Sequence, residues 1–343
     1  MFNINQIIRK NIRELQPYSS AREEFSGQAT VWLDANENPF DTHLNRYPDP
    51  YQVELKQAIS ARKGLEVNQV FVGNGSDEAI DLLFRAFCEP REDKAFIFSP
   101  TYGMYEVVAK INNVALVKLD LDEYFDLPKL ADIKPHFDSK GLLFICSPNN
   151  PTGNVYSLES IRELAHNFTG LVVVDEAYID FSNTKSAISL LKSTPNLVVL
   201  QTMSKAYGLA GLRLGFAYAS EEIITVLNKI KAPYNVNTLS QIKGLEILKN
   251  ATIVNDQIEQ IKSQREMLIA ELEEMPFVKK VYPTEANFIL AEFENAEMVF
   301  STLQNKGIII RNRTSQVKDG LRITVGTPAQ NKVLLNRLKE MTK

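Results

Sequence analysis

Lys205 is the residue of this chain whose surroundings best suit covalent chemistry. It follows an apolar run at residues 196–200, whose length and β-branched content indicate a buried strand, and a second apolar run follows at 216–219. A lysine just beyond a buried strand, among small residues and a hydroxyl group, can form a Schiff base when its environment lowers its pKa. The alternative is that Lys205 is one solvated loop lysine among many, so the interpretation depends on the residues that accompany it.

Two other groups of residues have the chemistry of anion binding. Ser204 and Arg213 are close enough in sequence to share one anionic group, and arginine favours bidentate contact with phosphate. Gly75 is followed by Ser76 and Asp77 at the start of an amphipathic helix, where free backbone N–H groups point at any anion placed there. The alternative for this second group, a simple helix N-cap, stays open at this point.

The elements that must position these residues alternate along the chain from Gln52 onward. Segments with helical spacing, such as 53–61, are separated by short apolar runs, and polar residues cluster directly after each run. The runs that we predict as strands lie at 70–72, 95–98, 141–146 and 171–174. Strands separated by helices, with polar residues at their carboxyl ends, indicate an α/β fold with a mostly parallel sheet flanked by helices and a site along one edge of that sheet.

The same patterns divide the chain into three predicted parts. Residues 1–47 form an N-terminal arm, with helical spacing from Ile4 to Leu15 and a short strand beginning at Val31, and residues 48–238 form the large domain. Residues 239–343 contain a long connecting helix and a small α+β C-terminal domain. In that domain we expect strands at 287–291, 307–311 and 321–325 and helices at 296–305 and 328–341.

Composition excludes several classes of function. The chain has 343 residues, a net charge of −4 and no basic block, which argues against nucleic acid as its main partner. No apolar run is long enough to span a bilayer, and we expect neither a signal peptide nor a membrane helix. Cys88 and Cys146 lie in apolar runs and are predicted to be reduced thiols of a cytoplasmic protein. The scattered His43, His136 and His166 give no support for a metal site.

The segment Ser-Lys-x-x-x-Leu-Ala-Gly-Leu-Arg-x-Gly that begins at Ser204 resembles the lysine segment of the fold-type I pyridoxal-phosphate (PLP) enzymes. Several further segments occur in the order found in the class I and II aminotransferases, from about residue 30 to the end of the chain. The resemblance implies a large PLP-binding domain, a small C-terminal domain and PLP as the cofactor. It also implies that Gly75, Ser76, Asp77, Ser204 and Arg213 hold the cofactor phosphate.

The other parts of a PLP site have candidates as well. Asp175 ends the most apolar strand of the sequence, where a carboxylate is costly unless a buried cation such as a pyridinium nitrogen pairs with it; the alternative is a turn cap. Tyr178 and Asn150 are candidate donors to the ring oxygen O3′, and Tyr102 is either the residue that stacks on the ring or a core aromatic. The resemblance assigns Lys205 the Schiff base and proton transfer, with Asp175 and Tyr178 also in catalytic roles.

Four segments are similar to the histidinol-phosphate aminotransferase family in particular. They lie at 17–22, at 33–39, at 46–48 and at 307–311 followed by 320–326. The resemblance implies a homodimer with shared active sites, in which part of the arm packs on the small domain and Tyr47 reaches the cofactor phosphate of the neighbouring subunit. It implies that Tyr18, Arg311 and Arg322 surround the substrate phosphate and that Arg322 also binds the carboxylate of the amino donor. Asn36 and Asn150 are the remaining implied substrate-binding residues.

The implied reaction is a ping-pong transamination between L-histidinol phosphate and 2-oxoglutarate, which yields imidazole acetol phosphate and L-glutamate in histidine biosynthesis. A substrate with a phosphate and no α-carboxylate needs at least two guanidiniums and a hydroxyl donor, and the same site must accept the carboxylate of glutamate. Three alternatives remain open: a threonine-phosphate decarboxylase, a broad aromatic aminotransferase and a catalytically silent PLP-binding module. The sequence departs from the family pattern at Asn312-Arg313, and it leaves open whether Arg313 joins the pocket.

Overall fold

Near-continuous apolar runs form the central sheet, as expected for strands that are buried on both faces. The computed structural model describes residues 2–19, 24, 25, 27 and 29–341. Seven strands make this sheet: β1 Val70–Asn74, β2 Lys94–Ser99, β3 Ala115–Asp120, β4 Gly141–Cys146, β5 Leu171–Asp175, β6 Leu197–Thr202 and β7 Leu214–Tyr218. Their order is β1-β7-β6-β5-β4-β2-β3. Only β7 is antiparallel to its neighbours, β1 and β6, so the predicted mostly parallel sheet is confirmed.

Helices cover both faces of the sheet. In chain order they are α1 Lys10–Glu14, α2 Val53–Lys63, α3 Ser76–Phe87, α4 Met104–Ile111, α5 Leu130–Ile133, α6 Leu158–Asn167, α7 Glu221–Ile230 and α8 Thr238–Lys249. Alternate strand residues enter different cores: Val172 and Val174 pack with α2 and α6, whereas Val173 packs with α3, α4 and α7. The α8 helix packs on α2, so the first part of the segment 239–343 lies against the large sheet.

A second, smaller sheet forms the C-terminal part of the molecule. Its strands are β8 Val278–Val281, β9 Phe288–Phe293, β10 Arg311–Asn312 and β11 Gly320–Thr324, in the order β10-β11-β9-β8 and all antiparallel. The helices α9 Ala251–Glu273, α10 Ala296–Asn305 and α11 Pro328–Glu340 pack on it around a core of its own. The long connecting helix and the two later helices were predicted. The expected strand at 307–311 was wrong except for Arg311, because residues 307–310 leave α10 by a turn and have no strand partner.

The N-terminal arm begins on the large domain. Ile4 and Ile7 are buried in the same core as α3, and the Arg9 guanidinium donates to the carbonyl oxygen of Arg85 at 2.9 Å. The predicted helix is interrupted at Arg9, whose backbone is extended, and the predicted strand at Val31 is absent. Packing of a later part of the arm on the small domain stays a prediction.

Buried contacts join the small sheet to the large one close to the carboxyl edge. Arg265 of α9 donates one guanidinium nitrogen to the carbonyl oxygens of Phe181 and Ala286, at 3.4 and 3.1 Å. Gly153 has a positive φ of 87°, and a Cβ there would lie 2.2 Å from Oγ1 of Thr284. These contacts hold β9 and β11 beside the ends of β4 and β5. Within the residues given above, no helix is long and apolar enough to cross a membrane.

Candidate active site

A cavity of about 210 Å³ lies at the carboxyl ends of β4, β5 and β6. Most of the residues singled out in the sequence line it: Gly75, Ser76, Asp77, Tyr102, Asn150, Asp175, Tyr178, Ser204, Lys205 and Arg213. Parallel strands end at one edge of a sheet, which explains why segments far apart in sequence meet here. Cys146, Ala177 and Thr202 complete the lining.

One end of the cavity has the chemistry of an anion cradle. Gly75 has φ +80° and an added Cβ would lie 2.5 Å from Nη2 of Arg213, so glycine allows the guanidinium to approach the first turn of α3. Arg213 Nη1 is 3.5 Å from Oγ of Ser204, and Nη2 is 3.7 Å from Oδ2 of Asp77. The backbone N–H groups of the first turn of α3 have no partner within the helix. A guanidinium, a hydroxyl and a helix N-terminus therefore converge on one place.

Asp175 ends β5 on the floor of the cavity and is only 3% exposed. Burial raises the pKa of its carboxyl to about 6, and hydrogen bonds from Tyr105 and from the N–H of Ala177 oppose that rise. No cationic side chain forms an ion pair with this carboxylate among the described residues. A buried carboxylate that lacks a cation is suited to pair with a cationic ligand atom.

Tyr105 is a site residue that the sequence analysis missed. Its hydroxyl donates to Oδ2 of Asp175 at 2.7 Å, and its buried ring stacks on Phe144 at 4.5 Å between centroids. The ring also contacts Tyr102 edge-on, at 5.5 Å, and Tyr102 in turn donates to Oδ1 of Asp77 at 3.2 Å. The only signal in the sequence was its spacing of three residues from Tyr102 at the start of α4, which is equally typical of a core aromatic.

Lys205 follows β6, and although the residue is exposed to solvent, it lines the cavity. Its Nζ lies 5.5 Å from the centroid of the Tyr178 ring. Burial lowers the pKa of the amine, the nearby charge of Arg322 lowers it further, and Asp175 opposes the change. A lysine with a lowered pKa is more often neutral and can act as a nucleophile and a base.

Asn150 links the cavity to the small sheet. Its Nδ2 is 3.4 Å from the hydroxyl of Tyr178, and its Oδ1 accepts a hydrogen bond from Nη1 of Arg322 in β11. The Arg322 guanidinium lies over the ring of Phe288, with its carbon 5.1 Å from the ring centroid. One residue of the small sheet thus reaches the wall of the cavity.

The remaining predicted residues do not line this cavity. Arg311 is exposed on the neighbouring strand β10, and Tyr18 is 69% exposed. Asn36 and Tyr47 line a different cavity of about 460 Å³ beside the start of α8, where the Tyr47 ring stacks on Tyr234 at 4.4 Å. Three positions of the segment 17–22, Ser20, Ala21 and Arg22, lie outside the described residues.

The described part of the chain contains no candidate metal site. No group of three or more histidine, cysteine, aspartate or glutamate side chains there could hold a metal ion. Cys88 and Cys146 are free and buried, and burial raises the pKa of both thiols.

Comparison with known proteins identifies the family. Residues 22–338 match the family model described as aminotransferase class I and II. A histidinol-phosphate aminotransferase from Parabacteroides distasonis is 50% identical over 343 residues, which cover 99% of both chains. The crystal structure of the histidinol-phosphate aminotransferase from Clostridium acetobutylicum covers 87% of this chain and 91% of its own, with 26% identity and a TM-score of 0.79. The Sinorhizobium meliloti histidinol-phosphate aminotransferase, solved in complex with pyridoxal-5′-phosphate, has the same fold at 21% identity, with a TM-score of 0.79 over 87% of this chain and 84% of its own. This chain therefore belongs to the class I and II aminotransferases.

Proposed function

We propose that this protein is a PLP-dependent transaminase that converts L-histidinol phosphate and 2-oxoglutarate to imidazole acetol phosphate and L-glutamate, in histidine biosynthesis. The relative from P. distasonis supports the reaction, because it matches nearly the whole chain at 50% identity. The observation that carries the proposal is that Lys205 and Asp175 share one cavity beside an anion cradle. The lysine has a lowered pKa, and the buried carboxylate has no ion-pair partner among the residues that the structure describes.

The residues of the cavity fit PLP in three respects. The cradle of Ser204, Arg213 and the α3 N-terminus suits a phosphate group. Asp175 suits a protonated pyridine nitrogen, because pairing relieves the cost of the buried charge. Lys205 has the amine that a carbonyl ligand requires. We assign Tyr102 to the face of the ring, and Tyr178 and Asn150 to its phenolic oxygen.

The mechanism that follows assigns one task to each side chain. When bound, PLP supplies an electron sink for the charge that develops at Cα of the amine substrate. With the cofactor bound, Lys205 would remove the proton from Cα as a general base and return it as a general acid at C4′, on the other side of the substrate nitrogen. Asp175 keeps the ring nitrogen protonated, and Tyr105 holds the Asp175 carboxylate in place. Tyr178 and Asn150 donate hydrogen bonds to the ring oxygen.

Substrate binding is assigned to the small sheet and the arm. Arg322, with Asn150 beside it, binds the phosphate of L-histidinol phosphate or a carboxylate of glutamate, together with Arg311 and Tyr18. Both substrates use one place in turn, which fits a ping-pong sequence. Asn36 of the arm is retained as a substrate-binding residue in this proposal.

We also propose a homodimer in which Tyr47 contacts the partner's cofactor phosphate. Several apolar side chains of the arm and of α8 are exposed in the single chain: Leu33, Phe40, Leu44, Leu239 and Ile242. A patch of this kind is typical of a protein–protein interface. In this proposal each subunit has a large domain at 48–238 and a small domain at 239–343, and its arm at 1–47 contacts the partner subunit.

An absorbance titration of the purified protein with L-histidinol phosphate tests the reaction. We expect the spectrum of bound PLP to change to that of the pyridoxamine form, and 2-oxoglutarate to reverse the change. Parallel incubations distinguish the other activities: carbon dioxide released from threonine phosphate would indicate a decarboxylase, and a faster reaction with phenylalanine would indicate an aromatic aminotransferase. A spectrum that none of these amines changes would refute the proposal.

A further inference from the structure

Three arginines lie together at the edge of the small sheet that faces the cavity. Arg311 pairs with Arg322 across β10 and β11, so their side chains share one face. Arg313 follows two positions after Arg311, and side chains alternate along an extended chain. Asn312, between them, points the other way and donates to Glu297 of α10 at 3.1 Å. The three guanidiniums are therefore on the same side of the sheet.

The guanidinium of Arg313 is partly buried, and no ion-pair partner for it is present in the described part of the chain. Its Nε is inaccessible to solvent and makes no hydrogen bond, the same is true of Nε of Arg322, and neither side chain forms an ion pair with the residues that the structure describes. Burial, and then the charges of Arg322 and Arg311, together lower the pKa of Arg313 to about 10. Buried donors and like charges are costly, so this arrangement is one that a bound anion would stabilise.

Arg313 is close to residues that line the cavity or contact its wall. Burial raises the pKa of the Tyr178 hydroxyl, and the nearby charges of Arg322 and then Arg313 oppose that rise. Tyr178 lines the cavity, and Arg322 donates to Asn150 in its wall. Arg313 therefore lies near Tyr178 and Arg322, on the side of the cavity that faces the small sheet. The proposed function assigns the substrate phosphate to this side.

Charge distinguishes the two substrates at this place. A phosphate ester carries close to two negative charges and three acceptor oxygens near pH 7, whereas a carboxylate carries one charge and two oxygens. Arg311 and Arg322 are sufficient for a carboxylate. A third guanidinium adds a contact that only the phosphate can use fully.

We propose that Arg313 is the third guanidinium of the substrate's phosphate subsite and the residue that makes this subsite bind a phosphate ester in preference to a carboxylate. The proposal rests on the proposed function for the identity of the substrate. The anion site itself depends only on the placement of the three arginines.

The test compares Arg313→Met, which keeps the apolar stem and removes the donors, with Arg313→Lys, which keeps the charge. Arg162→Met is the matched control, because Arg162 is exposed on α6. Binding of inorganic phosphate to the PLP-loaded protein is measured by calorimetry at constant ionic strength. The kcat/KM values for L-histidinol phosphate and L-glutamate are measured in single half-reactions. A hydrogen bond between charged groups corresponds to about a ten- to hundredfold effect.

We expect Arg313→Met to weaken phosphate binding, and to lower kcat/KM for L-histidinol phosphate, by about ten- to hundredfold. The loss in kcat/KM for L-histidinol phosphate should come mainly from a higher KM, and kcat/KM for L-glutamate should change by less than about threefold. Arg313→Lys should recover part of the loss, because it keeps the charge. Unchanged phosphate binding, or equal losses for both amines, would overturn the inference. If wild-type protein does not react with L-histidinol phosphate but Arg313→Met still loses phosphate binding, the proposed substrate is wrong and the anion site stands.

Discussion

Removal of the Asp175 charge is expected to have opposite effects on stability and on catalysis. It should stabilise the cofactor-free protein near neutral pH and lower the turnover of the enzyme. Its pKa is raised from 3.8 to about 6 in the folded protein, chiefly by burial. Because the folded state binds this proton more tightly than the unfolded state, the stabilising contribution is complete below about pH 4 and is lost as the pH rises through 6. Two pKa units correspond to about 3 kcal/mol.

Asp175→Asn removes this titration. In protein stripped of cofactor we expect the free energy of unfolding of the variant, relative to wild type, to increase by about 3 kcal/mol between pH 4 and pH 7. The amide can still accept the hydrogen bond from Tyr105, so packing is retained. The expected effect on catalysis is unfavourable: with PLP and substrate, kcat should fall by about a hundredfold or more, because in the proposed function the Asp175 carboxylate is the anionic partner of the ring nitrogen.

Urea unfolding at a series of pH values measures the first effect, and turnover measures the second. Asp132→Asn is the control, since Asp132 is exposed on α5. A stability difference that stays constant between pH 4 and pH 7 would refute the reasoning about burial, and wild-type turnover of Asp175→Asn would refute its assigned role.

Three further predictions concern neighbouring residues of the cavity. Lys205→Ala should abolish both turnover and the covalent absorbance of bound PLP, and a variant that keeps either would contradict its assignment. Tyr105→Phe removes the hydrogen-bond donor to Asp175, so the pH at which the cofactor-free protein loses stability should rise by about one to two units. The same urea series measures this pH, and an unchanged midpoint would show that the hydroxyl is dispensable. Gly75→Ala places a Cβ 2.5 Å from Arg213 at φ +80°, and equilibrium dialysis should show PLP affinity about tenfold weaker, whereas equal affinity would mean that the cradle adjusts freely.

The sequence was sufficient to predict the candidate site residues that directly follow a strand end. The strand at 141–146 has the predicted bounds, and Asp175 and Lys205 both lie beyond their predicted strands in one cavity. This succeeded because strands buried on both faces have a strong apolar signal and parallel strands end together.

The features that the sequence did not predict depend on contacts between distant parts of the chain. The role of Tyr105 depends on a hydrogen bond across 70 positions of sequence, which no local pattern contains. Residues 307–310 are as apolar as a strand but lack a neighbouring strand. The side of the sheet that Arg313 occupies required the register of β10 with β11. Assignments of Tyr18, Asn36 and Tyr47 stay predictions, since these residues do not line the cavity of the single chain.

The antiparallel pairing of β6 with β7 has a consequence for which ligands the protein can accept. Thr202 pairs with Gly215, and the N–H of Met203 donates to the carbonyl oxygen of Leu214 at 3.0 Å, so the loop between these strands is closed at its base. Lys205 and Arg213 both lie in this closed loop, and the contact of Arg213 with Asp77 holds the loop against the first turn of α3. If Lys205 and Arg213 bind the two ends of one ligand, as we propose, an aldehyde whose anionic end is much nearer to or farther from its carbonyl than the distance between them would not reach both groups. The loop would then select its ligand by length.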